Sequence, residues 1–240
     1  MGELKMGPSV ITLPERLDPA SVEGMRVQLA ASAEAAAIIL EGIPGRFCLG
    51  MDFVETAAPG MAGSGKLRLS LEYFASFLGE LLCAPRPTLA VIDGPALGGG
   101  LGLAAACDFV LASERSTFAL PEALYGLAPA IIRPALMTRL NIQKLNMLLF
   151  TCHSRNAEEA KEFGLVDRIV PADQLEKNKR DITRQFRRAR NETVATARAW
   201  NKAHFVQALK QGVDDTNAAL SNENVIAALR AGDEDVPWNK

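Results

Sequence analysis

The chain has 240 residues, 48% of them apolar and 6% aromatic, with 22% charged and a formal net charge of -2. That length supports one sizeable core, or a core with a small appended module. Acids and bases are interspersed, which excludes the extended basic field that nucleic acid demands, and no uncharged apolar run is long enough to span a membrane.

In chain order, Val10 to Leu13 reads as a short strand, and after the Asp18-Pro19 start signal Ala20 to Ala31 has the apolar spacing of a helix. The stretch Met1 to Leu13 contains no apolar run of signal-peptide length, so the expectation is a cytoplasmic protein. Ala37 to Leu40 is a compact buried strand. Arg46 to Leu49 follows, then a turn at Gly50 and a stretch from Ala57 to Gly65 rich in Ala, Gly and Pro, expected to be a mobile loop.

Leu69 to Leu82 has the period of an amphipathic helix, Thr88 to Ile92 reads as a buried strand, and Gly98 to Ala106 as a glycine-opened helix packed by small residues. Short strands are predicted at Phe109 to Ala112 and Thr117 to Ala119. Helices then dominate, at Ala130 to Arg139, Ile142 to Phe150 and Ala157 to Phe163, before a last strand at Val166 to Val170. From Ala172 onward the chain is polar-rich and helical, with breaks predicted near Asn191 and Gly212. The domain reading is a core module over residues 1–171 and a helical module over 172–240. The second has too few apolar residues for a core of its own, so it is expected to pack on the first or on a neighbouring subunit.

Cys48, Cys83, Cys107 and Cys152 are widely spaced in apolar surroundings and read as reduced, buried thiols. With only His153 and His204 beside them, no metal site is expected.

Two glycine-centred turns follow buried strands: Phe47-Cys48-Leu49-Gly50-Met51-Asp52-Phe53, and Ile92-Asp93-Gly94-Pro95-Ala96-Leu97-Gly98-Gly99-Gly100-Leu101-Gly102. Each can present an unpaired backbone N–H, and the second opens a helix whose first N–H groups lack intrahelical partners. Should the amides of Met51 and Gly99 converge, they form an oxyanion hole. A glycine triplet is equally compatible with a tight turn or close helix packing. No Gly-Lys-Ser/Thr follows, which excludes a phosphate loop.

A third segment, Phe118 to Pro129, sets Glu122 among apolar residues, where desolvation would bring its pKa toward the range of a general acid or base. The alternative is a charge at a helix N-terminus after Pro121. Asp52 and Asp108 read as turn or cap residues, His153 as part of a helix end, and the basic run Arg184 to Arg190 as a solvated helix face or subunit contact.

These three segments, in this order, resemble the crotonase (enoyl-CoA hydratase/isomerase) superfamily. The resemblance implies an α/β fold, a spiral of ββα repeats with C-terminal trimerisation helices. It implies Glu122 as the catalytic carboxyl and the Met51 and Gly99 amides as oxyanion donors, with Leu49 and Asp52 along the carried acyl arm. The hydratases of that family carry a second glutamate where this chain has Gly102.

Gly99-Gly100-Leu101-Gly102, the run Glu122 to Ala130 and the Pro237-Trp238 ending are similar to the dehydratases of polyketide β-branching. Those enzymes convert (S)-3-hydroxy-3-methylglutaryl-ACP to 3-methylglutaconyl-ACP, where ACP is an acyl carrier protein. The resemblance implies a substrate carried on phosphopantetheine of the carrier protein or on CoA, and no other cofactor. The implied partners are the carrier protein and like subunits, in a homotrimer or a dimer of trimers, with neither nucleic acid nor membrane. Lys66, Arg68, Tyr73 and Arg133 are the sequence candidates for anchoring the distal carboxylate. A Δ3,Δ2-enoyl-CoA isomerase, which also keeps one carboxylate, and a non-catalytic scaffold subunit are the competing readings.

Overall fold

A computed structural model describes residues 7–51 and 65–231. Asp52, the predicted loop up to residue 64, and Pro237-Trp238 lie outside the described residues. In chain order come β1 (Ser9–Thr12), α1 (Pro19–Ala31), β2 (Ile38–Glu41), α2 (Gly65–Leu82), β3 (Thr88–Ile92), β4 (Pro95–Leu97), α3 (Gly99–Ala106), β5 (Phe109–Ser113) and β6 (Thr117–Ala119). A 3-10 turn at Glu122–Tyr125 leads into α4 (Arg133–Leu136), α5 (Ile142–Thr151), β7 (Arg155–Asn156), α6 (Ala157–Phe163) and β8 (Arg168–Val170). Four further helices follow: α7 (Leu175–Phe186), α8 (Asn191–Ala199), α9 (Lys202–Ala219) and α10 (Glu223–Ala231).

Five strands form a parallel sheet in the order β1-β2-β3-β5-β8. Each new strand joins the outer edge of the one before it, so the chain advances as a spiral with its helices in the crossovers. The side-chain alternation of β2 divides two cores. Ile38 and Leu40 face the main core with α1, α2 and α3, whereas Ile39 joins Leu89, Val91, Leu111 and Val170 beneath Leu175 and Ile182 of α7. A parallel sheet must be covered on both faces, and α7 supplies the second cover.

A smaller sheet, β4-β6-β7, stands beside the first. Strand β4 was not legible in the sequence because it is three residues long and begins at Pro95. The segment predicted over Arg46 to Leu49 contributes only a single bridge, Cys48 opposite Ala96 of β4.

Helix starts follow the predicted chemistry. Asp18 Oδ1 accepts from Ala20 N at 2.8 Å and Ser21 N at 3.0 Å, while Ser21 Oγ accepts from Asp18 N at 3.0 Å, a reciprocal cap ahead of Pro19. The helix predicted over Ala130 to Arg139 contracts to α4, because Pro129 and Pro134 both lack the N–H that an uninterrupted ladder needs.

Residues 172–231 have no core of their own. Leu209 and Val213 of α9, with Val225, Ile226 and Leu229 of α10, join the main core cluster, while α8 buries no residue. The break predicted at Gly212 is absent, and the glycine lies inside α9. It is tolerated there for a packing reason: a methyl group on it would stand 2.6 Å from Ala130 O. Among the described residues no helix is long and apolar enough to cross a membrane.

Candidate active site

The two glycine turns meet backbone to backbone. A methyl group placed on Gly50, whose φ is +80°, would lie 2.9 Å from Gly99 N, and one on Gly100 would lie 2.1 Å from Cys48 O. Only glycine permits that approach. Leu97 N donates to Cys48 O at 2.9 Å, and Gly98 N donates to Ala119 O at 3.0 Å, tying both turns to the small sheet.

The directions of the two candidate N–H groups follow from their peptide planes. Gly50 O accepts from Leu17 N at 2.9 Å, and Gly98 O accepts from Gly102 N at 3.0 Å. In a trans peptide the following N–H points opposite to that carbonyl, and the described residues contain no cis bond. Met51 N–H therefore points away from Leu17, and Gly99 N–H points out of the α3 N-terminus. Neither has a hydrogen-bond partner among the described residues.

Met51, Gly99 and Glu122 line one cavity. Glu122 opens the 3-10 turn after Pro121 and is 4% exposed. Its Oε2 has no hydrogen-bond partner among the described residues, and burial pushes its pKa up to about 7, offset in part by a backbone hydrogen bond. The other carboxylate oxygen would lie 2.8 Å from a methyl group on Gly98, so the acid sits against the turn that carries the Gly99 amide.

The remaining lining includes Leu71 and Phe74 of α2, Ile131 and Ile132 ahead of α4, and Thr216 of α9. The free space among these described residues is narrow, about 30 Å³. Half-buried Met51 belongs to these walls. Two roomier clefts, of about 730 and 700 Å³, flank α8 and α9 and contain none of the three groups.

Gly102 does more than lack a carboxyl group. A Cβ there would fall 2.3 Å from Ile132 Cγ2, so the isoleucine occupies the space into which a side chain at 102 would project. The cavity thus has one carboxyl group among its described residues, facing a hydrocarbon wall.

The four sequence candidates for a carboxylate anchor stand elsewhere. Lys66, Tyr73 and Arg133 are exposed, and none of the four is among the described residues lining the cavity. Arg68 donates to Glu72 and Asp214, each at 2.8 Å, and borders the 700 Å³ cleft. The helical period explains this: α2 turns Leu67, Leu71, Phe74 and Leu78 inward, which puts positions 66, 68 and 73 on its other sides. Leu49 is half-buried, donates its N–H to Glu15 O at 2.8 Å and does not line the cavity.

Asp108 acts as a backbone clasp, its Oδ2 accepting from Thr88 N at 2.8 Å while Asp108 N donates to Thr88 Oγ1 at 2.9 Å. His153 is exposed just beyond the end of α5. All four cysteines are free thiols, three buried and Cys83 partly so. No group of three metal-ligating side chains occurs among the described residues. Ile132 and Thr216 escaped the sequence reading because neither lies in a motif, and only packing brings them to the site.

The enoyl-CoA hydratase/isomerase family profile matches residues 26–226. The chain belongs to this family. Among crotonase relatives, it is 34% identical over 130 residues to the bacillaene synthase dehydratase PksH of Bacillus subtilis, covering 54% of this chain and 50% of that protein. It is 33% identical over 169 residues to carnitinyl-CoA dehydratase of Proteus mirabilis, covering 69% and 62%. The chain thus spans about half to two thirds of the length of these curated relatives. The crotonase fold is shared with an enoyl-CoA hydratase of Bacillus halodurans, with a TM-score of 0.84 at 20% identity over 93% of this chain and 96% of that one. It is also shared with the structure assigned to pksH of Bacillus subtilis, with a TM-score of 0.83 at 22% identity over 95% and 94%.

Proposed function

We propose that this crotonase dehydrates an acyl thioester, with (S)-3-hydroxy-3-methylglutaryl-ACP as substrate and 3-methylglutaconyl-ACP as product. The observation that carries the proposal is a buried carboxyl with a pKa of about 7, the one carboxyl among the described residues of the cavity, beside two backbone N–H groups that have no partner among the described residues. Its similarity to a dehydratase of bacillaene synthesis supports the substrate class.

Glu122 as carboxylate removes the C2 proton, and the C2–H electron pair moves into the thioester as an enolate. The Met51 and Gly99 amides donate to the enolate oxygen, a pairing worth about 10²–10³ in rate per donor. The enolate then reforms the carbonyl, the C2–C3 double bond forms, and the C3–O bond breaks. The leaving hydroxyl takes the proton from Glu122 and departs as water. One carboxyl serves both transfers on one face, so the space filled by Ile132 needs no second acid.

A single carboxyl also suits a Δ3,Δ2-enoyl-CoA isomerase, which takes a proton from C2 of a 3-enoyl thioester and returns it at C4 to give the conjugated product. Incubation with 3-hydroxy-3-methylglutaryl-ACP, read by intact-protein mass spectrometry, separates the two. Loss of one water is expected. A conjugated product from 3-enoyl-CoA, with no water lost from the carrier-bound substrate, overturns the dehydratase reading in favour of the isomerase.

A further inference from the structure

Thr216 is the only described residue besides Glu122 to bring a polar side chain to the cavity, the other lining side chains being hydrocarbon, thioether or absent. It is 7% exposed and sits on α9, in the helical region expected from sequence to pack on the first module or on a neighbouring subunit. A buried threonine within a helix ordinarily satisfies its hydroxyl by donating to the carbonyl four residues back. Thr183 on α7 does so, donating to Lys179 O at 2.8 Å. Thr216 makes no side-chain hydrogen bond with any described residue, and it is absent from the fully sealed, unsatisfied polar atoms. Its hydroxyl, a donor and an acceptor, is thus without a partner among the described residues, on a residue that lines the cavity.

The packing of α9 holds it there. Gly212 lies one turn before Thr216 on the same helix face, and a methyl group on it would meet Ala130 O at 2.6 Å and Ile131 Cα at 2.9 Å. The close approach that glycine allows brings α9 against the 130–132 segment, which itself lines the cavity.

We propose that Thr216 is a substrate-positioning residue, hydrogen-bonding the C3 hydroxyl of a 3-hydroxyacyl thioester and turning it toward Glu122. The proposal rests on the thioester-dehydratase reading above. Such a group completes the site: the oxyanion amides hold C1, Glu122 serves C2 and then the leaving hydroxyl, and the hydrocarbon wall at Ile132 offers nothing to orient that hydroxyl on C3. A site that hydrogen-bonds a substrate hydroxyl discriminates against the analogue lacking it, because its own polar group is then left unpaired.

The test compares wild type with Thr216→Val and Thr216→Ser on two carrier-bound acyl groups. One is 3-hydroxy-3-methylglutaryl, followed by water loss. The other is 3-methylglutaryl, which has no hydroxyl, followed by deuterium entering C2 from D₂O, a reaction that needs only Glu122 and the two amides. Thr216→Val is expected to lower kcat/KM for dehydration roughly 10- to 100-fold and to leave C2 exchange within about twofold of wild type. Thr216→Ser is expected to restore most of the dehydration. A parallel fall in both reactions, no fall in either, or failure of serine to rescue overturns the proposal.

Should wild type dehydrate nothing, the earlier reading fails, and calorimetry with the acyl-pantetheine forms of the same two groups decides this one. A preference for the hydroxylated ligand that disappears in Thr216→Val supports the hydroxyl contact. Equal affinities in wild type remove it.

Discussion

The glycine turns and helix α9 both reach the cavity, but they place their groups by different means. Met51 and Gly99 are aimed by a lattice of backbone hydrogen bonds: Gly50 O to Leu17, Gly98 O to Gly102, and Gly98 N to Ala119. Thr216 is placed by packing depth, through the fit of Gly212 against Ala130. Damage to the lattice should cost the fold, whereas damage to the helix contact should cost the reaction first.

Glu122 lies between these two regimes and is expected to give the largest effect. Glu122→Gln keeps the shape and removes the proton acceptor, so dehydration should fall by about 10²–10⁴ in kcat. Stability should move the other way. Because the folded-state pKa is raised from 4.5 to about 7, the fold favours the neutral acid. That contribution is fully present below the unfolded value and is lost as pH rises through about 7, a cost on the order of 3 kcal/mol by pH 8. Thermal melts of Glu122→Gln should therefore exceed wild type at pH 8 and match it near pH 4. The same ionisation requires wild-type kcat/KM to rise with pH through about 7. A profile flat from pH 5 to 8 removes Glu122 as the base.

Next in size is the lattice itself. In Gly100→Ala the new methyl meets a backbone carbonyl rather than a flexible side chain, 2.1 Å from Cys48 O. The turns must separate, and a loss of about 3 kcal/mol or more in denaturant unfolding is expected. Wild-type stability in this variant would mean that the contact between the turns does not hold the fold.

The same contrast explains how much could be read from the sequence. The strands Thr88–Ile92 and Thr117–Ala119 and the helix Ala157–Phe163 were legible to the residue, because apolar runs, turn residues and caps are local signals. The glycine turns and Glu122 were legible as one site because their spacing matches a family pattern. Lys66, Arg68, Tyr73 and Arg133 stand out for cationic or hydrogen-bonding side chains and nearness in sequence, and neither property reports which side of a helix faces inward. Ile132 and Thr216 carry no local signal. Gly212, read as a helix break from its conformational freedom, is explained by a contact about 80 positions away in the chain.

Gly212→Ala tests the packing side of the contrast. Alanine is the better helix former by about 1 kcal/mol, so α9 should not unwind. The added methyl instead pushes the helix off Ala130 and draws Thr216 back. About a tenfold loss in kcat/KM for the hydroxylated substrate is expected with unchanged far-ultraviolet circular dichroism. A drop in melting temperature without a kinetic defect would place Gly212 with the lattice glycines instead.

The smallest effect is expected at α8, which separates helices that merely cover the core from the one that enters the site. With no buried residue, α8 is tied to the sheet through Arg198, whose guanidinium donates to the Asp108 carboxylate that clasps Thr88. The two side chains are 18% and 35% exposed, so solvent screens the pair and its worth is about 1 kcal/mol or less. Arg198→Ala should leave turnover unchanged, because nothing on α8 lines the cavity. Amide exchange over residues 191–199 should nevertheless speed up severalfold, while β3 and β5 remain protected by their ladder. Equal acceleration across α8 and α9 would show that the two helices open together, and the reaction would then depend on the outer helix through Thr216.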